Sequence, residues 1–211
     1  MSRDPVLGPV ERYYSAKVTE HGAAPAAADW NSSESQELRF RELLRICRSS
    51  ERFSINDIGC GYGALVPMLQ ELGQDFVYHG FDISAAMVAQ ARKTLGETAQ
   101  WSFTDREDAL APADYAVASG IFNVRLEAEG EDWRRYVFET LDRLDELSTR
   151  GFSFNMLTSY SDRDRMRPDL YYSNPGETFD LCKRRYSPHV ALLHDYGLWE
   201  FTVLVRKDLV P

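Results

Sequence analysis

From residue 53 onward, apolar runs of strand-like period alternate with stripes of helical period, and few folds accept that rhythm. Residues 53–58, 76–81, 101–103, 115–119 and 152–157 read as strands. Between them, Leu65, Met68, Leu69 and Leu72 form a helical stripe that closes at Gly73. A second helix runs from a Ser84 cap to Leu95 and ends at Gly96, and a longer one over 132–148 carries Trp133, Val137, Leu141 and Leu144 on one face. Residues 190–194 and 201–205 read as two final strands. The gap between them, 195–200, is too short for a crossover helix, so they must be antiparallel neighbours. The pattern predicts an α/β fold: a doubly wound, seven-stranded sheet, mostly parallel, with one reversed strand in a C-terminal hairpin.

The first 50 residues fall outside that alternation and are expected to form a helical N-terminal cover. Residues 9–19 suit a short amphipathic helix carrying Val10, Tyr13, Tyr14 and Val18, and Ala23–Ala28 reads as a loop. Ser33 and Gln36 fit a capping box ahead of a helix bearing Phe40, Leu43, Leu44 and Cys47. A polar stretch after the fifth strand interrupts the rhythm. The expected organisation is one domain over 1–211: cover 1–50, ligand-binding core 51–157, lid-like insertion 158–188 and hairpin 189–211.

Composition narrows the partners. The formal net charge is −9, which argues against a protein that draws its affinity from nucleic-acid phosphates. No apolar stretch approaches the length of a membrane span, and the first residues lack a signal-peptide core. Cys47, Cys60 and Cys182 are odd in number and far apart, forming neither a disulfide framework nor a metal-ligand spacing. The expectation is a cytoplasmic protein with no metal, no membrane partner and no nucleic acid.

Between the first strand and its helix lies Asp57-Ile58-Gly59-Cys60-Gly61-Tyr62-Gly63. Glycines let a tight turn bring backbone N–H groups close to a ligand. Asp82 follows 19 residues after Gly63, where two carboxylate oxygens match the vicinal hydroxyls of a ribose. Asp105 ends the third strand and could accept from an adenine amino group. Gly59, Gly61 and Ala64 also satisfy a relaxed dinucleotide pattern, but Asp57 stands where a dinucleotide would place its pyrophosphate. A carboxylate is unfavourable there and favourable beside the ammonium and sulfonium of S-adenosylmethionine (SAM).

Four runs then carry a specific resemblance. Ile55 to Gly63 resembles the first motif of the class I SAM-dependent methyltransferases, Gly80-Phe81-Asp82-Ile83-Ser84 the second, Phe103-Thr104-Asp105 the third, and Ala113 to Gly120 the fourth. The reversed hairpin is similar to that family's Rossmann-like seven-stranded sheet. The resemblance implies that Gly59, Gly61 and Gly63 line the methionine moiety with Asp57 near its amino group. It places Asp82 on the ribose, Ile83 against adenine, Asp105 at the adenine amino group and the Ser119 backbone over the methionine end. The reaction product would be S-adenosylhomocysteine (SAH). Asp29-Trp30-Asn31-Ser32, Ser119 to Asn123 and Leu193 to Tyr196 also resemble a bacterial small-molecule subgroup of the family.

Ligands of open α/β sheets sit beyond the carboxyl ends of the strands. Candidate substrate contacts are Tyr14, Trp30, Phe122, Asn123, Asn155, Tyr171 and Tyr172, with His194 as a candidate general base. Arg39 is placed to reach the carboxylate of SAM. The expected function is methyl transfer to a small polar metabolite. A nicotinamide-dependent oxidoreductase and a non-catalytic SAM-binding sensor are the alternatives.

Overall fold

A computed structural model describes residues 5–47 and 52–209. The expected junction of cover and core at 50/51 lies outside the described residues. Among the described residues there are six α-helices: α1 (Leu7–His21), α2 (Ser33–Leu44), α3 (Leu65–Glu71), α4 (Ala85–Leu95), α5 (Gly130–Glu146) and α6 (Pro175–Arg185). The strands are β1 (Phe53–Ile58), β2 (Phe76–Phe81), β3 (Trp101–Thr104), β4 (Ala113–Ala118), β5 (Ser148–Thr158), β6 (Tyr172–Ser173), β7 (His189–Leu193) and β8 (Glu200–Arg206). They form one sheet in the order β3-β2-β1-β4-β5-β8-β7, with the two-residue β6 added beside β5. β8 is antiparallel to both β5 and β7, and the pairs β1–β2, β1–β4, β2–β3 and β4–β5 are parallel.

Besides Asp57, β1 carries two polar residues in a nearly buried strand, and each has a partner. Asn56 donates through Nδ2 to the carbonyls of Ala111 (2.9 Å) and Leu147 (3.1 Å). Ser54 donates through its N–H and hydroxyl to the Asp114 carboxylate at 2.7 and 2.9 Å. These bonds tie β1 to the start of β4, so the strand keeps its place without an unbroken apolar run.

One core cluster packs α2, α3 and α4 onto one face of the sheet through Leu43, Leu69 and Val88. The other packs α5 and α6 onto the opposite face through Trp133, Leu141 and Cys182 against Phe152, Phe154 and Val203. The expected cover therefore divides. α2 is a layer of the sheet, fastened where Ser153 Oγ donates to the Leu43 carbonyl (2.9 Å). α1 crosses to the carboxyl edge and docks on the cap of α4, with Ser15 Oγ 2.7 Å from Ser84 Oγ.

Three expectations are corrected. The cap of α2 is Ser32, whose side chain accepts from the Ser35 N–H, so Ser33 begins the helix and Gln36 is free to bond Tyr62. Ala23–Ala28 contains a 3-10 turn at Pro25–Ala28. The 158–188 insertion is not a lid throughout, because its second half is α6, the crossover helix into β7. That helix has an Asn174 cap accepting from Gly176 and Glu177, Pro175 in its first turn and Lys183, Arg184 and Arg185 in its last. No helix among the described residues is long and apolar enough to cross a membrane.

Candidate active site

The sheet order reverses between β1 and β4, since β1 leads outward to β2 and β4 to β5. A crevice opens at such a point beyond the carboxyl ends. There a cavity of about 430 Å³ is lined by the loops after β1, β2 and β4, roofed by α1 and the segment around Trp30, and bounded by α5.

Asp57, Gly59, Gly61, Asp82, Ile83 and Ser119 all line this cavity. Asp82 is fixed by two backbone donors: Gly61 N–H to Oδ2 and Ser84 N–H to Oδ1, both at 2.8 Å. Asp57 accepts from the Tyr78 hydroxyl at 2.8 Å. No ion pair joins either carboxylate to a cation among the described residues. Burial accordingly raises Asp57 to about 7, against the Tyr78 bond and with a further push from the charge of Asp82. Burial raises Asp82 to about 6 despite its two amides, with Glu11 adding to the rise. Two buried carboxylates without counter-charge prefer a cationic ligand.

Gly63 and Asp105 do not line the cavity. Gly63 has φ +82°, and a Cβ there would lie 2.8 Å from both Leu95 Cδ1 and Phe103 Cε1. It lets α4 and β3 pack beside the loop instead of contacting the cavity. Asp105 is exposed. The chain after β3 enters a 3-10 turn that brings Glu107 to the cavity instead, where Arg143 of α5 bonds it at 3.0 Å.

Of the candidate substrate contacts, Tyr14 and Trp30 line the cavity. Phe122 is fully buried against Phe154 and Tyr136, while Asn123 accepts from the Leu157 N–H at 3.2 Å and ties two loops together. Asn155 is buried behind the cavity wall and accepts from the Gly120 N–H at 2.7 Å. Tyr171 donates its N–H to the Asn123 carbonyl (2.8 Å), and the Tyr172 hydroxyl accepts from the Arg167 N–H (3.0 Å). None of these five faces the cavity.

His194 is exposed at the end of edge strand β7, its ring 6.0 Å from that of Tyr160 and 6.1 Å from that of Phe201. β8 separates β7 from β5, which carries the histidine away from the β1/β4 crevice. Arg39 is occupied elsewhere, in a buried ion pair with Glu200. Sequence reasoning missed Gln36, Tyr62, Met87 and Tyr136, all of which line the cavity. Tyr136, Thr140 and Arg143 recur at spacings of four and three beside the apolar stripe of α5, a legible second line on that helix.

A parallel-sheet crevice with a glycine loop and two buried acids, Asp57 and Asp82, is the arrangement the fold builds here. Comparisons with known proteins narrow the class. The family model described as "Methyltransferase domain" matches residues 56–151. A protein named "Putative methyltransferase Rv1506c", from Mycobacterium tuberculosis, is 54% identical over 164 residues, covering 78% of this chain and 99% of that protein. The fold is similar to that of magnesium protoporphyrin IX methyltransferase from Synechocystis PCC 6803, crystallised with SAM (TM-score 0.64, 14% identity, 98% of this chain and 100% of that one). It is also similar to that of the N-methyltransferase NodS from Bradyrhizobium japonicum, crystallised with SAH (TM-score 0.63, 14% identity, 98% and 100%). The chain belongs to the methyltransferase family, and its fold is that of the class I, SAM-dependent branch.

Proposed function

We propose that the protein transfers a methyl group from SAM to a small polar metabolite. The observation that carries this reading is the pair of buried carboxylates, Asp57 and Asp82, facing the cavity with no cationic side chain paired to either. When bound, SAM supplies an activated methyl carbon: an acceptor lone pair bonds to it as the carbon–sulfur bond breaks, leaving SAH. Asp57 holds the amino end of the methionine moiety. Asp82, preset by Gly61 and Ser84, accepts from the ribose hydroxyls. Ile83 packs on adenine, with Glu107 and Tyr136 closing that end of the cavity.

The acceptor enters against Tyr14, Trp30 and the Tyr62–Gln36 pair, where hydroxyl and amide groups suit a small polar molecule. Much of the acceleration comes from alignment and exclusion of water beneath α1. We further read the chain as one domain working in the cytoplasm, a setting supported by free thiols at Cys47, Cys60 and Cys182. A nicotinamide would set its pyrophosphate against the Asp57 carboxylate, which disfavours that alternative.

Calorimetric titration with SAM, SAH and NAD tests the cofactor. Binding of NAD with no heat from SAM or SAH overturns the reading. A screen of metabolite extract with methyl-labelled SAM then identifies the acceptor. Label that stays on SAM in every fraction, with SAM bound tightly, would favour a sensor.

A further inference from the structure

Trp30, a wall of the cavity, is backed by Arg39, a residue to which the methyl-transfer reading gives no role. Arg39 is buried on α2 and bonds Glu200, at the start of β8, through Nε (3.0 and 2.9 Å) and Nη2 (2.6 Å). Its guanidinium carbon lies 4.2 Å from the centre of the Trp30 ring. The six-membered part of that indole rests on Gly120 so closely that a Cβ there would fall 2.4 Å from Trp30 Cη2. Gly120 is held from behind by the Asn155 side chain at 2.7 Å. Both Trp30 and Gly120 line the cavity, and Arg39 does not. The chain just before Trp30 is pinned separately, with Asp29 taking a hydrogen bond from Tyr13 and an ion pair from Lys17 of α1.

We propose that Arg39 is a positioning residue: anchored by Glu200, its guanidinium stacks on Trp30 and seats the indole against Gly120 as a fixed wall of the ligand cavity. The proposal rests on the reading of that cavity as the SAM site. A plain structural pair would clamp α2 to β8 and do nothing more. The stack makes a different demand, because a cation over an indole face is directional and Trp30 also abuts the Gly120 backbone. The specificity of the wall then depends on Arg39 although Arg39 touches no ligand.

The two roles separate in a double variant. Removing one partner leaves a buried charge unpaired, whereas replacing both with apolar residues is close to neutral for stability. SAH is titrated calorimetrically into the wild type, Arg39→Leu, Glu200→Leu, Arg39→Leu/Glu200→Leu, Arg39→Lys and Trp30→Phe, with thermal midpoints and tryptophan emission recorded for each. The single Leu variants are expected to lose thermal stability and the double variant to regain it. Binding of SAH by the double variant should nevertheless be about tenfold weaker than wild type. Its emission response to SAH should shrink to that of Trp30→Phe, and Arg39→Lys should recover part of both. A double variant that binds SAH like wild type with the full emission response overturns the proposal while leaving the cofactor reading intact. A wild type that binds no SAH removes the cofactor reading and this proposal together.

Discussion

The phenol of Tyr78 donates a 2.8 Å hydrogen bond to Asp57, from β2 to the neighbouring β1, at the floor of the cavity. One neutral donor does not offset the burial of Asp57, nor do two amides that of Asp82, so burial raises them to about 7 and about 6. Both folded-state values lie above those of an unfolded chain. The empty protein therefore holds extra protons between about pH 4 and 7, and the stability these groups contribute is lost as pH rises through that window. A cationic ligand reverses the preference, since it binds the ionised form. SAM affinity should rise about tenfold or more from pH 5.5 to 8, with proton release on binding. Titrations in buffers of differing ionisation enthalpy measure both, and an affinity independent of pH would contradict the assignment.

Asp57→Asn keeps the shape and removes the charge. At pH 8 the unliganded variant should melt about 2–4 °C higher than wild type, because an uncompensated buried anion is gone. Its affinity for SAM should fall about tenfold and lose most of its dependence on pH. Differential scanning with and without SAM reads both effects.

Asp82→Ala removes a carboxylate whose two oxygens already hold Gly61 and Ser84. The loop loses its preset shape together with its ribose acceptor. SAM binding should weaken about 100-fold, on the order of 3 kcal/mol. Affinity within twofold of wild type in calorimetry would refute the ribose role.

Gly63→Ala separates packing from binding. The added Cβ meets Leu95 and Phe103 at 2.8 Å and the backbone stands at φ +82°. Stability should fall by about 2–4 kcal/mol in urea denaturation. The folded fraction should bind SAM like wild type, because the residue does not line the cavity.

His194→Ala and Asp105→Ala test two residues that the structure sets outside the cavity. Each should leave SAM affinity within about twofold, since neither side chain lies on the ligand's surroundings. The His194 variant should also keep the full methylation rate from pH 6 to 8 in a labelled-SAM assay. A loss of rate at neutral pH would restore the histidine as a base.

The motifs that depend on strand ends were legible because period and glycine spacing fix where each strand stops. Asp57 and Asp82 were placed from that, and Ser119 only from the family resemblance; all three line the cavity. Asp105 and Gly63 were misplaced for local reasons: a 3-10 turn carried Glu107 inward, and the third glycine of the loop serves helix packing. α6 was overlooked because Phe179 and Leu181 are its only large apolar side chains, although Asn174-Pro175 and the basic last turn announced its two ends. The aromatic and polar candidates beyond strands four and five failed together. Phe122, Asn123 and Asn155 hold the wall from behind, and which side of a wall a residue faces depends on packing between segments far apart in the chain.

α1 is the earliest described helix of the chain, yet much of what its inward residues rest on lies far along the chain. Val10 joins a cluster with Phe154 and Val203, and Val18 packs with Tyr62 and Met87. During synthesis the helix leaves the ribosome well before the surfaces it will rest on. Contacts of such sequence separation form late. A segment made before its partners thus settles after them, and until β8 is made Val10 lacks Val203, one of the residues it rests on.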